Sequence, residues 1–271
     1  MNSRQQFKDL HARDSLFVMP NAWCEGSARL IQHLGYSSIG TTSAGIAYAQ
    51  GFRDSSTQMD NESRFASIER IVRAVDIAVS ADLENGLADS LKGVEHTFRR
   101  AVDIGCAGAS IEDIASYEDS AKPLFYGRDE ACDRVQAACE AAHRLDRNFI
   151  VTARTDYLLG ADDYSLSEVI TRLRAFEQAG ADCLFAPGLR SIEDVRTVQS
   201  MLTKPLNVLP VPGMSIEQLK AASVRRVSLG SALFRAAYAQ ISTVLQGLEQ
   251  PDGLDFMQHN LSFEHLNEVM R

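Results

Sequence analysis

Short apolar segments rich in β-branched residues recur along the whole chain and alternate with longer segments whose apolar residues lie three or four positions apart. The short segments are typical of buried strands, and the longer ones are typical of amphipathic helices. Eight strands are predicted, over residues 16–20, 37–42, 77–82, 109–112, 149–154, 183–186, 206–210 and 226–229. Helices are predicted between them, among others over residues 61–75, 91–103, 129–145, 166–179 and 192–202.

This alternation of strand and helix predicts an α/β protein, and its eight repeats predict a single (β/α)8 TIM barrel over residues 1–271. No Ser/Gly-rich linker and no block of charge divides the chain into two domains. A doubly wound open sheet is the alternative. A glycine-rich dinucleotide turn after the first strand would favour that alternative, and the sequence MPNAWCEG at residues 19–26 is not such a turn.

The C-terminal segment, residues 236–271, is predicted to be helical and to lie outside the barrel core. Its last part carries more apolar side chains than a free tail would: Leu254, Phe256, Leu261, Phe263, Leu266 and Val269. We therefore expect this segment to pack on a partner subunit, by an exchange of helices between barrels. Packing against its own barrel is the alternative.

Composition narrows the class of protein. Hydrophobic residues make up 45% of the chain and charged residues 23%, as in an ordinary globular protein. The formal net charge of -9, without a cluster of Lys and Arg, argues against a nucleic-acid partner. The five cysteines are scattered without a CxxC pair, and no apolar run approaches the length of a membrane span. We expect a soluble cytoplasmic protein with no membrane partner.

Acidic side chains stand at the ends of two predicted strands, where a barrel places its reactive groups. Asp82 and Glu84 are two residues apart and would share one strand face, and Glu112 and Asp113 end the next strand. Clustered carboxylates repel one another unless a cation lies among them, and ligand sets of oxygen alone favour Mg²⁺ or Mn²⁺. The alternative is that Asp82 and Glu84 begin a solvated loop and cap the next helix.

Two further segments carry candidate chemistry. The fifth strand ends in ARTDY, which places Arg154 inward on the same face as Thr152. An arginine there suits a substrate carboxylate or a developing oxyanion, and a structural ion pair with the neighbouring acids is the alternative. The second strand runs into TTSAGIAYAQGFRDS, whose small residues expose backbone N–H groups that could cradle a carboxylate.

Taken in order, seven segments resemble the isocitrate lyase and phosphoenolpyruvate mutase superfamily over roughly residues 15–235. They are PNAW (20–23), GTTSAG (40–45), GFRDS (51–55), SADLENG (80–86), GASIED (108–113), ARTD (153–156) and LNVL (206–209). The resemblance implies that Asp82 holds Mg²⁺ directly or through water, and that Glu84 and Glu112 hold the water shell of the ion. It also implies a substrate-binding set and a catalytic set. The first is Trp23, Thr42, Ser43, Ala44, Arg154 and Asn207, and the second is Asp54, Arg154 and Glu112.

The sequence departs from the lyases of this superfamily at several places, and three of them bear on catalysis and on the size of the substrate. Their KKCGH loop, which carries a catalytic Cys, is replaced by ASYEDSAKPLFYG at residues 115–127. Pro187 stands where those lyases have a Glu, and Leu209, two residues after Asn207, stands where they have a Thr. The pocket is therefore expected to take something smaller and less acidic than a tricarboxylate. Candidate replacements for the missing Cys are Tyr117, Lys122, Tyr126 and His96.

These observations predict a Mg²⁺-dependent carbon–carbon lyase or decarboxylase, with Mn²⁺ as a possible substitute. Its substrate would be a small 2-oxo or 2-hydroxy acid, cleaved through a metal-stabilised enolate to a pyruvate-type product. One alternative is a P–C bond enzyme, either phosphonopyruvate hydrolase or phosphoenolpyruvate mutase. Another is an oxo-acid-binding protein that has lost turnover. The resemblance also implies a homodimer or homotetramer.

Overall fold

A computed structural model of the chain describes residues 2–54, 58–118, 122–161 and 163–271. Its strands are β1 (Phe17–Met19), β2 (Asn21–Ala22), β3 (Ser38–Thr41), β4 (Ala78–Asp82), β5 (Gly108–Glu112), β6 (Ile114–Glu118), β7 (Lys122–Phe125), β8 (Ile150–Arg154), β9 (Cys183–Phe185), β10 (Leu206–Val208) and β11 (Arg226–Ser228). Its helices are α1 (Ser3–Ala12), α2 (Glu25–His33), α3 (Ser43–Ala49), α4 (Asn61–Arg73), α5 (Leu91–Asp103), α6 (Arg128–Leu145), α7 (Tyr157–Gly160), α8 (Leu166–Gln178), α9 (Ile192–Ser200), α10 (Ile216–Ala221), α11 (Ala232–Gly247) and α12 (Phe263–Val269). A 3₁₀ helix, Asp255–His259, lies between the last two.

Nine of these strands form one parallel sheet in the order β1, β11, β10, β9, β8, β5, β4, β3, β2. The first and last strands of this order, β1 and β2, are consecutive in the chain and are separated only by Pro20. The strand is interrupted there because proline has no N–H to donate. Met19 pairs with Ser228 on one side of Pro20, and Asn21 pairs with Gly40 on the other. The sheet is thereby nearly closed into a barrel. The predicted barrel is confirmed, and the doubly wound alternative is wrong.

The outer helices begin where the sequence supplies caps. Ser90 accepts a hydrogen bond from the N–H of Gly93 at the start of α5, and Asp60 does the same for Ser63 at the start of α4. Ser191 and Asp194 form a reciprocal capping box at the start of α9. These local signals explain why the predicted helices lie within two residues of the observed ones.

Helix α1 closes the amino end of the barrel, a role that the sequence analysis did not predict. Phe7 is fully buried in a cluster with Ala78 and Ile150, the first residues of β4 and β8. Gly108 makes this approach possible, because a Cβ at this position would lie 2.9 Å from the Phe7 ring and 2.6 Å from the carbonyl oxygen of Ile150. The opposite, carboxyl end of the strands is therefore the open mouth.

An antiparallel hairpin, β6 and β7, lies between β5 and α6. It packs on the short helix α7, where the ring of Phe125 lies 5.8 Å from that of Tyr157. Gly160 allows the closest contact, since a Cβ there would lie only 1.9 Å from Cγ of Pro123. Strand β7 of the hairpin therefore packs closely against α7.

The C-terminal segment divides into two parts. Helix α12 packs against α2 of the same chain, with Val269 buried and the backbone carbonyl of Met270 accepting from the Arg29 guanidinium. Helix α11 and its C-cap residue Leu248 instead expose an apolar stripe consisting of Tyr238, Ile241, Leu245 and Leu248, which are 39% to 61% exposed. In the described part of the chain, no helix combines the length and the apolar character that crossing a membrane requires.

Candidate active site

Asp82 is the best-anchored acid at the barrel mouth. It ends β4, and its Oδ2 accepts hydrogen bonds from the backbone N–H of Ser43 at 3.1 Å and from the Ser43 hydroxyl at 2.8 Å. Its own N–H donates to the hydroxyl of Thr41 at 2.8 Å, and Ser110 Oγ lies 3.3 Å from Oδ1. These contacts fix the carboxylate against the start of α3.

The predicted oxo-acid cradle, Thr42 to Ala44, begins α3 beside Asp82. The N–H of Ser43 is occupied by Asp82, and the Thr42 hydroxyl caps the helix by accepting from Gly45 at 3.3 Å. The N–H of Ala44 donates to no group in the described part of the chain. Of the three expected cradle residues, Ala44 therefore offers the open backbone donor.

Arg154 lies at the centre of the mouth and contacts carboxylates from three strand ends. Its Nη1 is 3.1 Å from Oε2 of Glu112 and 3.9 Å from Oδ1 of Asp82, and its Nε donates to Oδ1 of Asp156 at 2.7 Å. Burial alone would lower the pKa of Arg154, but the charges of Asp156, Glu112 and Asp82 outweigh it and raise that pKa well above its ordinary value. The guanidinium is therefore a permanent cation held by anions.

Glu84 leaves the strand geometry that the sequence analysis assumed. β4 ends at Asp82, and Glu84 lies in a left-handed turn with φ of 49°, followed by Gly86 at 90°. The prediction that Asp82 and Glu84 share one strand face is wrong, because this turn carries Glu84 over to an ion pair with Arg64 on α4. Burial raises the pKa of Glu84 to about 7, against the opposing charge of Arg64.

Glu112 is the second acid whose ionisation is disfavoured. Burial is the main cause that raises its pKa well above the usual range, although the neighbouring Arg154 opposes the shift. Asp156 and Asp82 add to the shift as like charges. The mouth therefore holds more acidic groups than its arginines can balance.

The donor chemistry of this cluster suits a hard divalent cation. Four carboxylates (Asp82, Glu84, Glu112 and Asp156) face two arginines (Arg64 and Arg154) in the part of the chain described above. Among the described residues, no three metal-binding side chains converge on one point. Carboxylate oxygens are the ligands that hard divalent cations take in proteins.

The remaining predicted residues lie at different depths. Trp23 directly follows β2, and its ring packs edge-on against Phe234 on α11 with centroids 5.4 Å apart. Asp54 is exposed in the loop after α3, and its charge still contributes to the raised pKa of Glu84. Asn207 is buried on β10, with its carboxamide bonded to Ser228 and Arg226.

Comparison with known proteins identifies the family of this chain. The phosphoenolpyruvate phosphomutase family model matches residues 7–248. The chain belongs to that family. Oxaloacetate decarboxylase from Pseudomonas putida strain GB-1 is 26% identical over 278 residues, which cover 98% of this chain and 90% of the decarboxylase.

Solved structures of the superfamily superpose over nearly the whole chain. A Burkholderia cenocepacia protein described as a lyase/mutase is 35% identical with a TM-score of 0.91, covering 98% of this chain and 94% of its own. An oxaloacetate acetylhydrolase solved with its product oxalate is 26% identical with a TM-score of 0.85, covering 99% and 94%. The prediction of an enzyme of the isocitrate lyase and phosphoenolpyruvate mutase superfamily, with carbon–carbon lyases among its relatives, is confirmed.

Within this phosphomutase-family barrel, two candidate replacements for the missing Cys can be located. His96 is exposed on the outer helix α5. Tyr126 lies under the guanidinium of Arg134, whose Cζ is 4.3 Å from the ring centroid, and its hydroxyl is 3.5 Å from Nδ2 of Asn85. The side chains of Tyr117 and Lys122 lie outside the described residues. Neither located residue contacts Arg154 or the carboxylates around it.

Several groups support the site in ways that the sequence did not reveal. Asp113, named above only as a strand-end acid, is buried and accepts hydrogen bonds from the Thr155 hydroxyl at 2.7 Å and from the N–H of Asp156 at 3.0 Å, and it pairs with Arg172. Arg134 donates to the carbonyl oxygens of Asn85, Ala88 and Asp89 and so holds the loop that follows Glu84. The ARTD segment drew attention to Asp156, but only the structure shows that its carboxylate accepts from Arg154 and so orients that side chain.

Proposed function

We propose that this protein is a Mg²⁺-dependent lyase or decarboxylase that cleaves a carbon–carbon bond in a small 2-oxo or 2-hydroxy acid. The observation that carries the proposal is the position of Arg154, oriented by Glu112 and Asp156 beside Asp82 and the start of α3. A permanent cation that is partly buried among carboxylates stabilises an oxyanion more strongly than the same group in water. Enolate formation is the step that such an arrangement assists.

Asp82, with Glu84 and Glu112 around it, is the set that we assign to the metal. A divalent cation bound there would polarise the 2-oxo oxygen of the substrate and offset the excess of negative charge. Asp82 suits the closest position because Ser43 and Thr41 already fix its orientation. Glu84 and Glu112 suit the water shell, since each is turned toward an arginine.

The substrate-binding set follows from the same geometry. We assign the carboxylate of the oxo acid to Arg154 and the N–H of Ala44, with Trp23 covering one side of the pocket. Asp54, on the exposed loop near Glu84, is assigned to the reacting centre as a group that approaches over the bound substrate. Oxaloacetate is the first candidate substrate, because a decarboxylase and an acetylhydrolase related to this chain are named for it.

The test is an NMR time course of the purified protein with Mg²⁺ and a panel of oxaloacetate, 2,3-dimethylmalate, 2-methylisocitrate and phosphonopyruvate. We expect pyruvate from oxaloacetate or one of the other C–C substrates, and we expect Asp82→Asn to abolish its formation. The matched control is Asp103→Asn, which removes an exposed carboxylate at the end of α5 and should leave turnover unchanged.

Other outcomes of this panel identify other functions. Phosphate released from phosphonopyruvate alone would establish P–C chemistry, in line with the name of the matching family. Binding of oxalate without turnover of any substrate would indicate a protein that binds oxo acids and does not convert them. Turnover that persists without a divalent cation and in Asp82→Asn would refute the metal-dependent proposal.

We also propose that the stripe on α11 is covered by a second copy of the chain, giving a homodimer or a homotetramer. Tyr238, Ile241, Leu245 and Leu248 recur at helical spacing on one side of a helix in which Phe234 is the buried residue. Burying such a stripe is favourable by roughly 25 cal/mol for each Å² of apolar surface. Light scattering should show a dimer or larger for the wild type and a monomer for Leu245→Glu, and a monomeric wild type would contradict the proposal.

A further inference from the structure

Arg226 lies inside the barrel at the start of β11, is 2% exposed, and has no carboxylate among its described hydrogen-bond partners. Its Nε donates to Oδ1 of Asn207 at 3.0 Å, and its Nη2 donates to the hydroxyl of Thr152 at 3.0 Å. Its Nη1 lies 3.1 Å from Nε2 of His11. Because a guanidinium only donates hydrogen bonds, each of these three atoms has to accept.

This requirement fixes the orientation of the next group. With Oδ1 of Asn207 facing Arg226, the amide nitrogen points the other way and donates to the hydroxyl oxygen of Ser228 at 2.8 Å. The reversed orientation of the carboxamide would set one N–H donor against another. Ser228 therefore receives a hydrogen bond, and its own hydrogen is left to donate elsewhere. In the described part of the chain no acceptor for that hydrogen is found.

Ser228 lies at the end of the barrel where the mouth is. Ser228 is the last residue of β11, and it faces the barrel interior because it lies two residues after Arg226 on the same strand. The N–H groups of Leu229 and Gly230 each donate to Oδ1 of Asn21 at 2.9 Å, which fixes the backbone immediately after it. The carboxyl end of the barrel is also where Asp82 and Arg154 end their strands.

We propose that Ser228 donates a hydrogen bond to an anionic oxygen of the bound oxo acid, and that Asn207 and Arg226 are positioning residues that set the direction of this bond. The proposal rests on the proposed function and deepens it, because it assigns to Ser228 the contact that the sequence analysis assigned to Asn207. Asn207 acts through Ser228, because its Oδ1 accepts from Arg226 and one N–H of its amide donates to Ser228.

The test measures binding by calorimetry, with Mg²⁺ present, of oxalate and of 3,3-difluorooxaloacetate, the inhibitor present in a structure of the related acetylhydrolase. Ser228→Ala should weaken binding about tenfold or more, the loss expected for a hydrogen bond to a charged oxygen. Ser228→Thr keeps the hydroxyl and should stay within about threefold of the wild type. Ser38→Ala is the matched control, because it removes another buried barrel hydroxyl and should not change affinity.

A second variant tests the direction of the hydrogen bond. Asn207→Asp replaces the amide donor by an acceptor, so the Ser228 hydroxyl should turn to it and away from the ligand. In the Asn207→Asp background, Ser228→Ala should then change ligand affinity less than about twofold, against tenfold or more in the wild type.

The outcomes separate this inference from the proposed function. Loss of affinity for both ligands in Ser228→Ala places the contact at the oxo-acid end, and loss for the longer ligand alone places it at the distal carboxylate. Wild-type binding that Ser228→Ala leaves unchanged for both ligands overturns the inference and leaves the proposed function standing. A wild type that binds neither ligand refutes the proposed function itself.

Discussion

His11 gives a prediction whose magnitude can be worked out from its surroundings. The side chain is 6% exposed, its Nδ1 lies 2.8 Å from the carbonyl oxygen of Phe7, and its Nε2 accepts from Arg226. The pKa of His11 is lowered from 6.5 to about 3, mainly by burial and next by the charge of Arg226. A proton on Nε2 would remove the acceptor and set two cations side by side.

The sign and size of the effect on stability follow by linkage. Between about pH 6.5 and 3 the unfolded chain carries a proton on His11 that the folded protein does not, so acid favours unfolding. The stability conferred by neutral His11 is fully present above pH 6.5 and is lost at about 1.4 kcal/mol for each pH unit below it. At pH 5 the loss is about 2 kcal/mol, a large fraction of the stability of an ordinary domain.

The assay is urea unfolding at pH 7.5 and pH 5.0 for the wild type, His11→Gln and His96→Gln. Glutamine at position 11 can still accept from Arg226 without titrating, so the variant should lose about 2 kcal/mol less than the wild type between the two pH values. His96→Gln changes an exposed histidine and should follow the wild type. Equal losses in the wild type and His11→Gln would refute the reasoning.

Three further substitutions test other contacts of the barrel. Asp156→Asn weakens the charge-assisted bond that orients Arg154, so oxalate affinity measured by calorimetry should fall about tenfold, and an unchanged affinity would contradict this role. Gly160→Ala places a methyl group against Pro123 and should lower the free energy of unfolding in urea by about 1–3 kcal/mol. Amide exchange in β7 should also become faster, and exchange at the wild-type rate would show that this contact does not hold the hairpin. Arg134→Lys loses the planar fork that holds the loop after Glu84, and a loss of about 2 kcal/mol is expected in the same urea assay. Wild-type stability in that variant would show that a single ammonium group is sufficient.

The fold was predictable because its signals are local. Each barrel strand is a short apolar run between turn residues, and helices such as Leu91–Asp103 begin at a serine or aspartate cap that the sequence shows directly. Helix α1 was missed because its apolar residues, Phe7 and Leu10, are few, and their burial depends on the barrel end that they close. Antiparallel pairing in the β6–β7 hairpin depends likewise on contacts with α7.

The site was predictable only in part, for a related reason. Asp82, Glu112 and Arg154 could be placed at one mouth because the ends of parallel strands meet there. Glu84 could not be placed, since a left-handed residue that is not glycine leaves no signature in the sequence. Arg64 and Arg226 were missed because their partners lie on other elements, and no spacing along the chain links them.

Arg154 and Arg226 both belong to the barrel interior but have different partners, and this difference bears on function. Arg154 lies among carboxylates, so its charge is balanced and it can face an anionic ligand without a large desolvation cost. Arg226 lies among neutral acceptors, and its desolvation is not offset by a carboxylate in the described residues. Aliphatic side chains at position 226 would cost less to bury, but they would leave the Asn207 carboxamide free to take either orientation. A buried cation without a carboxylate partner, which fixes the direction of a hydrogen-bond chain ending at Ser228, is better explained by the function of the mouth than by the stability of the core.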